Sequence, residues 1–534
     1  MRLLFPHPPQ RSFRAAASLC LHSLKPVPRP PRRTLLHRHL STPPSLLRTS
    51  ACGKEWEAVI GLEVHAQLST TTKLFSPAPA APSPSPNTRV SPIDAAFPGT
   101  LPLLNPACAK LAIATALALS STVRPRSSFD RKHYFYGDSP QGYQITQVFD
   151  PIARGGELKV VRELDGIGYD KTVGIAQLQI EQDSGKSVRA DDGVTTLVDL
   201  NRAGVGVLEI VTEPDLRSAE ESVAFLKKLQ RLLWHIGASV AEMDEGSWRC
   251  DVNVSVRPVD GPLGTRTEIK HLMKFTSIKE AIDYEIDRQI DLLERNHPVS
   301  AETRGFDTRT GQTTRLRSKE DAVDYRVFPD PDLPTLSLTA AEIDAVARSL
   351  PEPLDTRRDR LREQHGLSVY QVAVLMDEPG AVEYFESVAK GREGKKAANW
   401  VIGELFGWLK MRNLRLRASP VDPVRLGALM DLVEAGRLSG LRAKGALHLM
   451  MDGDSRPPAD IAAANGWTQD NDAAALELLC DEIVAQHPET ADKVRAGKSR
   501  LIKFFVGEVM KRTKGKSNPV IVATLVRKKL LGEE

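Results

Sequence analysis

Long apolar runs are missing from this chain of 534 residues. Nothing approaches the roughly 18 residues needed to span a bilayer. The longest candidate, Leu111 to Leu119, is short and bounded by Lys110 and Ser120. The chain reads as a soluble protein with no membrane insertion. Cysteine is sparse: Cys20, Cys52, Cys108, Cys250 and Cys480 form no C-x-x-C pair, which argues against a disulfide framework, a structural zinc site and a dithiol redox centre. Familiar nucleotide loops are absent as well. Gly185-Lys186-Ser187 resembles the end of a phosphate loop, but Ile180 stands where that loop needs a glycine. Neither Gly166-x-Gly168 nor Gly204-x-Gly206 carries the third glycine of a dinucleotide fingerprint, and no serine elbow is visible. A nucleotide, if used, is bound by an unfamiliar geometry, through a metal held by acidic strands. Negative charge is missing from one end. Residues 1–54 hold ten Lys or Arg and no Asp or Glu. That composition matches an organellar transit peptide, the plainer alternative being a disordered basic tail.

The length, with 41% hydrophobic content, predicts two or three domains. We expect a leader over 1–54, a strand-rich domain over 55–350, a helical domain over 351–465 and a small basic helical domain over 466–534. The strand-rich part carries a low-complexity insert of Pro, Ala and Ser from Ser76 to Pro92, read as a surface loop that does not pack. Two helices are signposted there. Ser218-Ala219-Glu220-Glu221 is a capping box before Val223, Leu226, Leu229 and Leu233, with a stop at Gly237. Ser277-Ile278-Lys279-Glu280 is a second box, opening a helix with Ile278, Ile282, Ile286, Ile290 and Leu293. Strands broken by helices without a βαβ rhythm predict an α+β fold around a mainly antiparallel sheet. Beyond 351 the pattern turns helical, and Asp452 to Asn465, containing Arg456-Pro457-Pro458, reads as a linker. Between Lys493 and Lys529 twelve Lys or Arg accompany a single acid, Glu508, with Phe504 and Phe505 interleaved. This is the footprint of a nucleic-acid-binding module or, equally, of a solvated basic face.

Four segments of the strand-rich domain alternate polar and apolar residues. Within Ala58 to Leu68, Glu63, His65 and Gln67 share a face. Ile175 to Asp183 aligns Gln177, Gln179, Glu181 and Asp183, and Leu208 to Glu213 aligns Glu209 and Glu213. Cys250 to Arg257 sets Asp251, Asn253, Ser255 and Arg257 opposite Cys250, Val252, Val254 and Val256. Any one of these strands reads as half-exposed with a solvated face. Four together suit a hard divalent cation and a polyanionic substrate.

Trp56 to Phe75 (WEAVIGLEVHAQLSTTTKLF), Tyr134 to Gln147 (YFYGDSPQGYQITQ), Asn201 to Ser218 (NRAGVGVLEIVTEPDLRS), Glu245 to Val256 (EGSWRCDVNVSV) and Asp324 to Pro334 (DYRVFPDPDLP) resemble, nearly residue for residue, the B-subunit family of glutamyl-tRNA(Gln) amidotransferase. The tail, Phe504 to Lys511 and Lys514 to Pro519, resembles the tRNA-binding domain that closes the same family. The likeness runs from about residue 55 to the end, and the basic leader points to a mitochondrial form, in the matrix. It implies ATP- and Mg²⁺-dependent phosphorylation of the γ-carboxyl of glutamate misacylated onto tRNA(Gln). An amidase-like A subunit then supplies ammonia that displaces phosphate, and a small C-type subunit completes the complex. The activation has a chemical reason: a carboxylate is a poor electrophile until it is converted to an acyl phosphate, while metal ions screen the phosphate charge.

Residue by residue, the resemblance implies Glu63, His65 and Glu181 as metal ligands, and Glu209 and Asp251 as further ligands or supporting carboxylates in catalysis. Arg249 and Lys186 are candidates for holding phosphate, with surface salt bridges as the alternative. Asn253 joins them as a substrate-binding candidate from its place on the polar face. Lys498, Lys503, Lys511, Lys514 and Lys516 are the tail residues expected to grip tRNA. Two positions depart from the family pattern: Gln141 stands for a lysine near the ammonia path, and Gln182 for the second of two consecutive glutamates. A competing reading from another class is a tRNA-binding scaffold whose chemistry has decayed. Clustered carboxylates argue against it, since a scaffold gains nothing from their desolvation.

Overall fold

The strand Glu55–Gln67 (β1) runs through the middle of an eleven-stranded sheet. Its neighbours come from far along the chain. In chain order the strands used below are β2 (Asp130–His133), β3 (Tyr143–Thr146), β4 (Lys171–Gln182), β5 (Gly206–Thr212), β6 (Trp248–Pro258), β7 (Thr267–Leu272), β8 (Glu302–Asp307), β9 (Gln312–Ser318) and β10 (Phe328–Pro329). The large sheet is ordered β9-β8-β7-β6-β1-β5-β4 and continues through Ala153–Arg154 and Thr122–Val123. Among the described residues only β7 and β8 pair in parallel in this sheet. This is the expected α+β architecture, mainly antiparallel. The computed structural model describes residues 46–534 apart from 51, 244–245, 319–323, 469–472, 514–516 and 533–534.

Alternation decides which face of the sheet is dry. Ile60, Leu62, Val64, Leu208, Ile210, Leu178, Ile180, Cys250, Val252 and Val254 are all buried in one core. Each fully buried aliphatic side chain contributes roughly 1.5–3 kcal/mol, so a one-residue slip, which would turn the carboxylates inward, is strongly disfavoured. Two helices cover this face: α1 (Ala219–His235) through Phe225, Leu226, Leu229 and Leu233, and α2 (Phe275–Glu294) through Ile278, Ile282, Ile286 and Ile290.

Helix signals fared unevenly. Ser218 caps α1, its Oγ accepting from the Glu221 amide at 3.1 Å. The Glu221 carboxylate accepts from the Arg217 amide and the Tyr169 hydroxyl, both at 2.6 Å, so the return bond of the box lands one residue early. The second box is a correction. The helix begins at Phe275 after Lys274, with no side-chain cap. Phe275 packs against the core and draws the first turn back past Ser277. The expected linker is a correction too: Pro458–Ala464 is a helix with Ile461 and Ala462 buried in a second core. Proline at the first helical position starts a helix rather than breaking one.

Ser76 to Pro92 forms no helix or strand, as expected of a loop, yet it is anchored. The Ser76 hydroxyl, the Ser91 amide and the buried Lys73 ammonium all reach Asp94 Oδ2, the last at 3.0 Å. Asn87 Nδ2 donates to the Val198 carbonyl at 2.9 Å. Polar contacts hold the insert, and Ala78 within it is buried.

Domain edges shift as well. Arg48–Thr49 pairs with β1 and Arg48 meets Asp283, so residue 54 lies inside a folded hairpin rather than at its edge. Val346 and Leu354 belong to the sheet core, and the helical core starts at Leu361. Thr468 bridges to Leu438 and Trp467 packs on that second core. A third core (Leu476, Cys480, Ile483, Val494, Phe505, Val509, Val526 and their neighbours) holds the tail helices together. No helix among the described residues is long and apolar enough to cross a membrane.

Candidate functional site

Opposite the dry core, antiparallel register brings the alternating polar residues into rows. Glu209 stands directly across from His65 on one side and Gln179 on the other, while Arg249 faces His65 from β6. In the next row Asp251 faces Glu63. Glu181 is diagonal to this pair of rows, opposite Val207. Glu63, His65, Glu181, Glu209, Asp251, Arg249 and Asn253 are therefore on one face of adjoining strands. Lys186 is not. It lies on the exposed hairpin Lys186–Arg189 with Thr196–Asp199, outside the large sheet. Glu213 also leaves the face: the register shifts between Val211 and Thr212, and Glu213 packs over Gly174.

The carboxylates gather in two groups. His65 Nε2 lies 3.4 Å from Glu181 Oε1 and 3.6 Å from Glu209 Oε2. Thr146 Oγ1 donates to Glu181 Oε2 at 3.2 Å, leaving Oε1 to face the imidazole, and Gln179 Nε2 donates at 2.6 Å to Glu209 Oε2, the oxygen nearer the imidazole. Burial, reinforced by the charges of Glu181 and Glu63, holds the Glu209 carboxyl well above the ordinary range, with Lys132 pulling weakly the other way. Glu63, Asp251 and Glu268 make the second group. Here a cation is already built in. Lys270 Nζ sits 2.7 Å from Asp251 Oδ2 and 3.1 Å from Glu268 Oε1, and despite burial these two acids raise its pKa.

Both groups bring three ligand atoms within 4.8 Å of one another, and both fit a hard divalent cation by donor chemistry. The first group is the stronger fit. Among the described residues neither Glu181 nor Glu209 has a lysine or arginine within salt-bridge distance, whereas Lys270 pairs with two acids of the second group. Asn253 supports the second group in an unexpected way: its Nδ2 donates to Glu63 Oε1 at 2.8 Å, while its buried Oδ1 has no partner among the described residues. It orients a carboxylate and offers a free acceptor. Arg249 Nη2 donates to Asp183 Oδ1 at 2.9 Å, and Arg202 reaches the same carboxylate at 3.6 Å. Arg249 is thus held beside His65 by an internal partner.

Sequence reading missed Glu268, Lys270, Lys132 and Thr146. Thr267 to Leu272 does alternate Glu268 with Lys270, a short signal; Lys132 and Thr146 reach the site only through tertiary packing. In the tail, Lys498, Lys503 and Lys511 are exposed as expected, while Lys514 and Lys516 lie outside the described residues. Phe505 is a correction. It is buried in the third core, and Phe504 alone of that pair is part-exposed. The two departures from the family pattern meet: Gln182 Nε2 donates to Gln141 Oε1 at 3.0 Å, and Gln141 Nε2 donates to the Ile93 carbonyl at 3.0 Å.

A sheet face of carboxylates and one imidazole, with Arg249 beside it, has the donor chemistry to hold a hard divalent cation. Residues 58–344 match the family described as the GatB/GatE catalytic domain, and residues 383–530 match the GatB domain. Bacterial B-subunits of aspartyl/glutamyl-tRNA(Asn/Gln) amidotransferase are similar across nearly all of the chain. That of Sinorhizobium fredii (strain NBRC 101917 / NGR234) is 46% identical over 482 residues, covering 90% of this chain and 96% of its own. Those of Rhizobium etli (strain CIAT 652) and Brucella anthropi are 45% and 44% identical over the same coverage. The chain belongs to the GatB/GatE family. It is one component of an amidotransferase of the ligase class.

Proposed function

We propose that this protein is the activating subunit of a glutamyl-tRNA(Gln) amidotransferase, phosphorylating the γ-carboxyl of glutamate on tRNA(Gln) at the expense of ATP and exchanging the phosphate for ammonia. The observation that carries this reading is the His65, Glu181 and Glu209 cluster, in which neither carboxylate has a lysine or arginine within salt-bridge distance among the described residues. Mg²⁺ held there by these three residues, with Glu63 and Asp251 alongside, would screen the charge of the transferring phosphoryl group. The remaining work falls to the chain itself. Thr146 and Gln179 fix the carboxylate orientations, Arg249 stands beside His65 at the anionic substrate, and the two helices behind the sheet keep the strands in register. No amidase nucleophile is signposted among the described residues, so ammonia comes from an amidase-like A subunit, with a small C-type subunit completing the complex. The relatives' names also carry aspartate and asparagine, which supports a second reading in which Asp-tRNA(Asn) is accepted. The basic leader supports a mitochondrial address.

ADP release by the assembled complex is the test. It should require Glu-tRNA(Gln), and external ammonium should replace glutamine but not ATP. Equal release with Asp-tRNA(Asn) would establish the second reading. Release without any aminoacyl-tRNA would contradict both.

A further inference from the structure

Aromatic side chains concentrate around a small sheet of β2, β3 and β10. Lys132 stands opposite Gln144 and Asp130 opposite Thr146, so the even-numbered residues of β2 and β3 share one side. That side meets the carboxylates: Thr146 bonds Glu181, and Gln144 Nε2 donates to the Gln182 carbonyl at 2.9 Å. The chain leaves β2 as Tyr134-Phe135-Tyr136. The Tyr134 ring meets Tyr136 at 5.6 Å and Tyr325 at 6.3 Å, both edge-on, and Lys132 Nζ lies 4.8 Å over the Tyr325 ring. Tyr136 itself is 64% exposed. Phe135 beside it is exposed too, and a further exposed ring, Phe328, is in register with Arg131 and stacks on His133 at 5.0 Å, on the opposite side of the strand.

We propose that Tyr136, braced by Tyr134 in an aromatic group whose Tyr325 carries Lys132 on its face, is a stacking platform for an unpaired base at the 3′ end of an RNA substrate. It holds the terminal nucleoside so that the acyl group esterified to it reaches Glu181 and Glu209. This rests on the reading given under Proposed function. An exposed aromatic face beside a site is costly to leave wet, and any base covers it by stacking. A phosphodiester approaching a carboxylate cluster is repelled unless cations are near, and Lys132 lies on the same side of its sheet as Thr146, which bonds Glu181. The adenine of ATP is the other source of a base, but a free nucleotide is normally enclosed in a concave site. Tyr136 is largely open to solvent, which suits the end of a macromolecule gripped elsewhere.

The test uses the assembled complex and tRNA carrying 2-aminopurine in place of its 3′-terminal adenosine, with a second fluorophore on the anticodon loop to report binding of the body. Binding should quench the 2-aminopurine. Tyr136→Ala should abolish the quench and raise KM for aminoacyl-tRNA about tenfold while body anisotropy still reports a complex. Tyr136→Phe and Phe328→Ala should both keep the quench. A quench unchanged in Tyr136→Ala, or lost in Phe328→Ala, overturns the platform and leaves the functional reading standing. ATP that removes the quench while the body stays bound overturns it in favour of the free nucleotide. A tRNA body that never binds defeats the functional reading and the platform together.

Discussion

Glu181 and Lys503 are both charged groups, and the fold treats them in opposite ways. Glu181 sits on the second-to-last residue of a central strand, 5% exposed, among other acids. Lys503 stands on the solvent side of a tail helix whose inner face, Phe505 and Val509, fills a core of its own. Burying a carboxylate beside others is expensive unless a counter-charge arrives, and the proposed function supplies one as a bound cation. Exposed lysines cost the fold little and interact at long range. On the proposed function the difference separates chemistry from capture: one region should fail all-or-none, the other by degrees.

The largest effect should come from Glu181→Gln. Loss of a metal-holding carboxylate removes about 4 kcal/mol of transition-state stabilisation, roughly a thousandfold in ADP release. The melting temperature without metal should stay level or rise, because one of the crowded charges is gone. Wild-type turnover in this variant would remove the residue from the site. His65→Ala should fail in the same assay.

A pH effect follows from Glu209. Its carboxyl titrates well above the ordinary 4.5 because burial, Glu181 and Glu63 oppose its charge. Between those two pKa values the folded protein keeps a proton that the unfolded chain has released. Metal-free stability should therefore fall as pH rises above about 4.5, and the fall should flatten in Glu209→Gln. A divalent cation should cancel it by favouring the ionised form. Denaturation curves across pH, with and without Mg²⁺, measure both.

Tail substitutions should be graded. Lys498→Ala, Lys503→Ala and Lys511→Ala should each weaken tRNA binding and reduce the salt slope by about one, with kcat for bound substrate unchanged. Slopes identical to wild type in the triple variant would leave these lysines as a solvated face. The smallest effect is expected at Lys186→Ala. On an exposed hairpin away from the carboxylates, it should alter ADP release by less than about twofold, near the usual margin for surface changes.

How much of this was legible in the sequence depends on the range of the signal. Period-two alternation is local, so Glu63, His65, Glu181, Glu209 and Asp251 were visible as members of polar faces before any pairing was known. Register is non-local. Only the pairing of β6 with β7 brings Glu268 and Lys270 to Asp251, and only a separate small sheet brings Thr146 and Lys132. Capping motifs misled where packing overrode them, as Phe275 did at the start of α2, and Pro457-Pro458 read as a break where it begins a helix. Gln141 and Gln182 appeared as two separate departures, 41 residues apart. Their shared hydrogen bond is visible only in three dimensions.

Everything proposed for the chemistry depends on His65, Glu181 and Glu209 binding a divalent cation, and Mn²⁺ titration followed by electron paramagnetic resonance tests this most directly in the purified protein. The expected result is tight Mn²⁺ uptake that Mg²⁺ competes away, strengthening as pH rises, and lost in both Glu181→Gln and His65→Ala while Lys186→Ala binds as wild type. Uptake unchanged in Glu181→Gln and His65→Ala would contradict it.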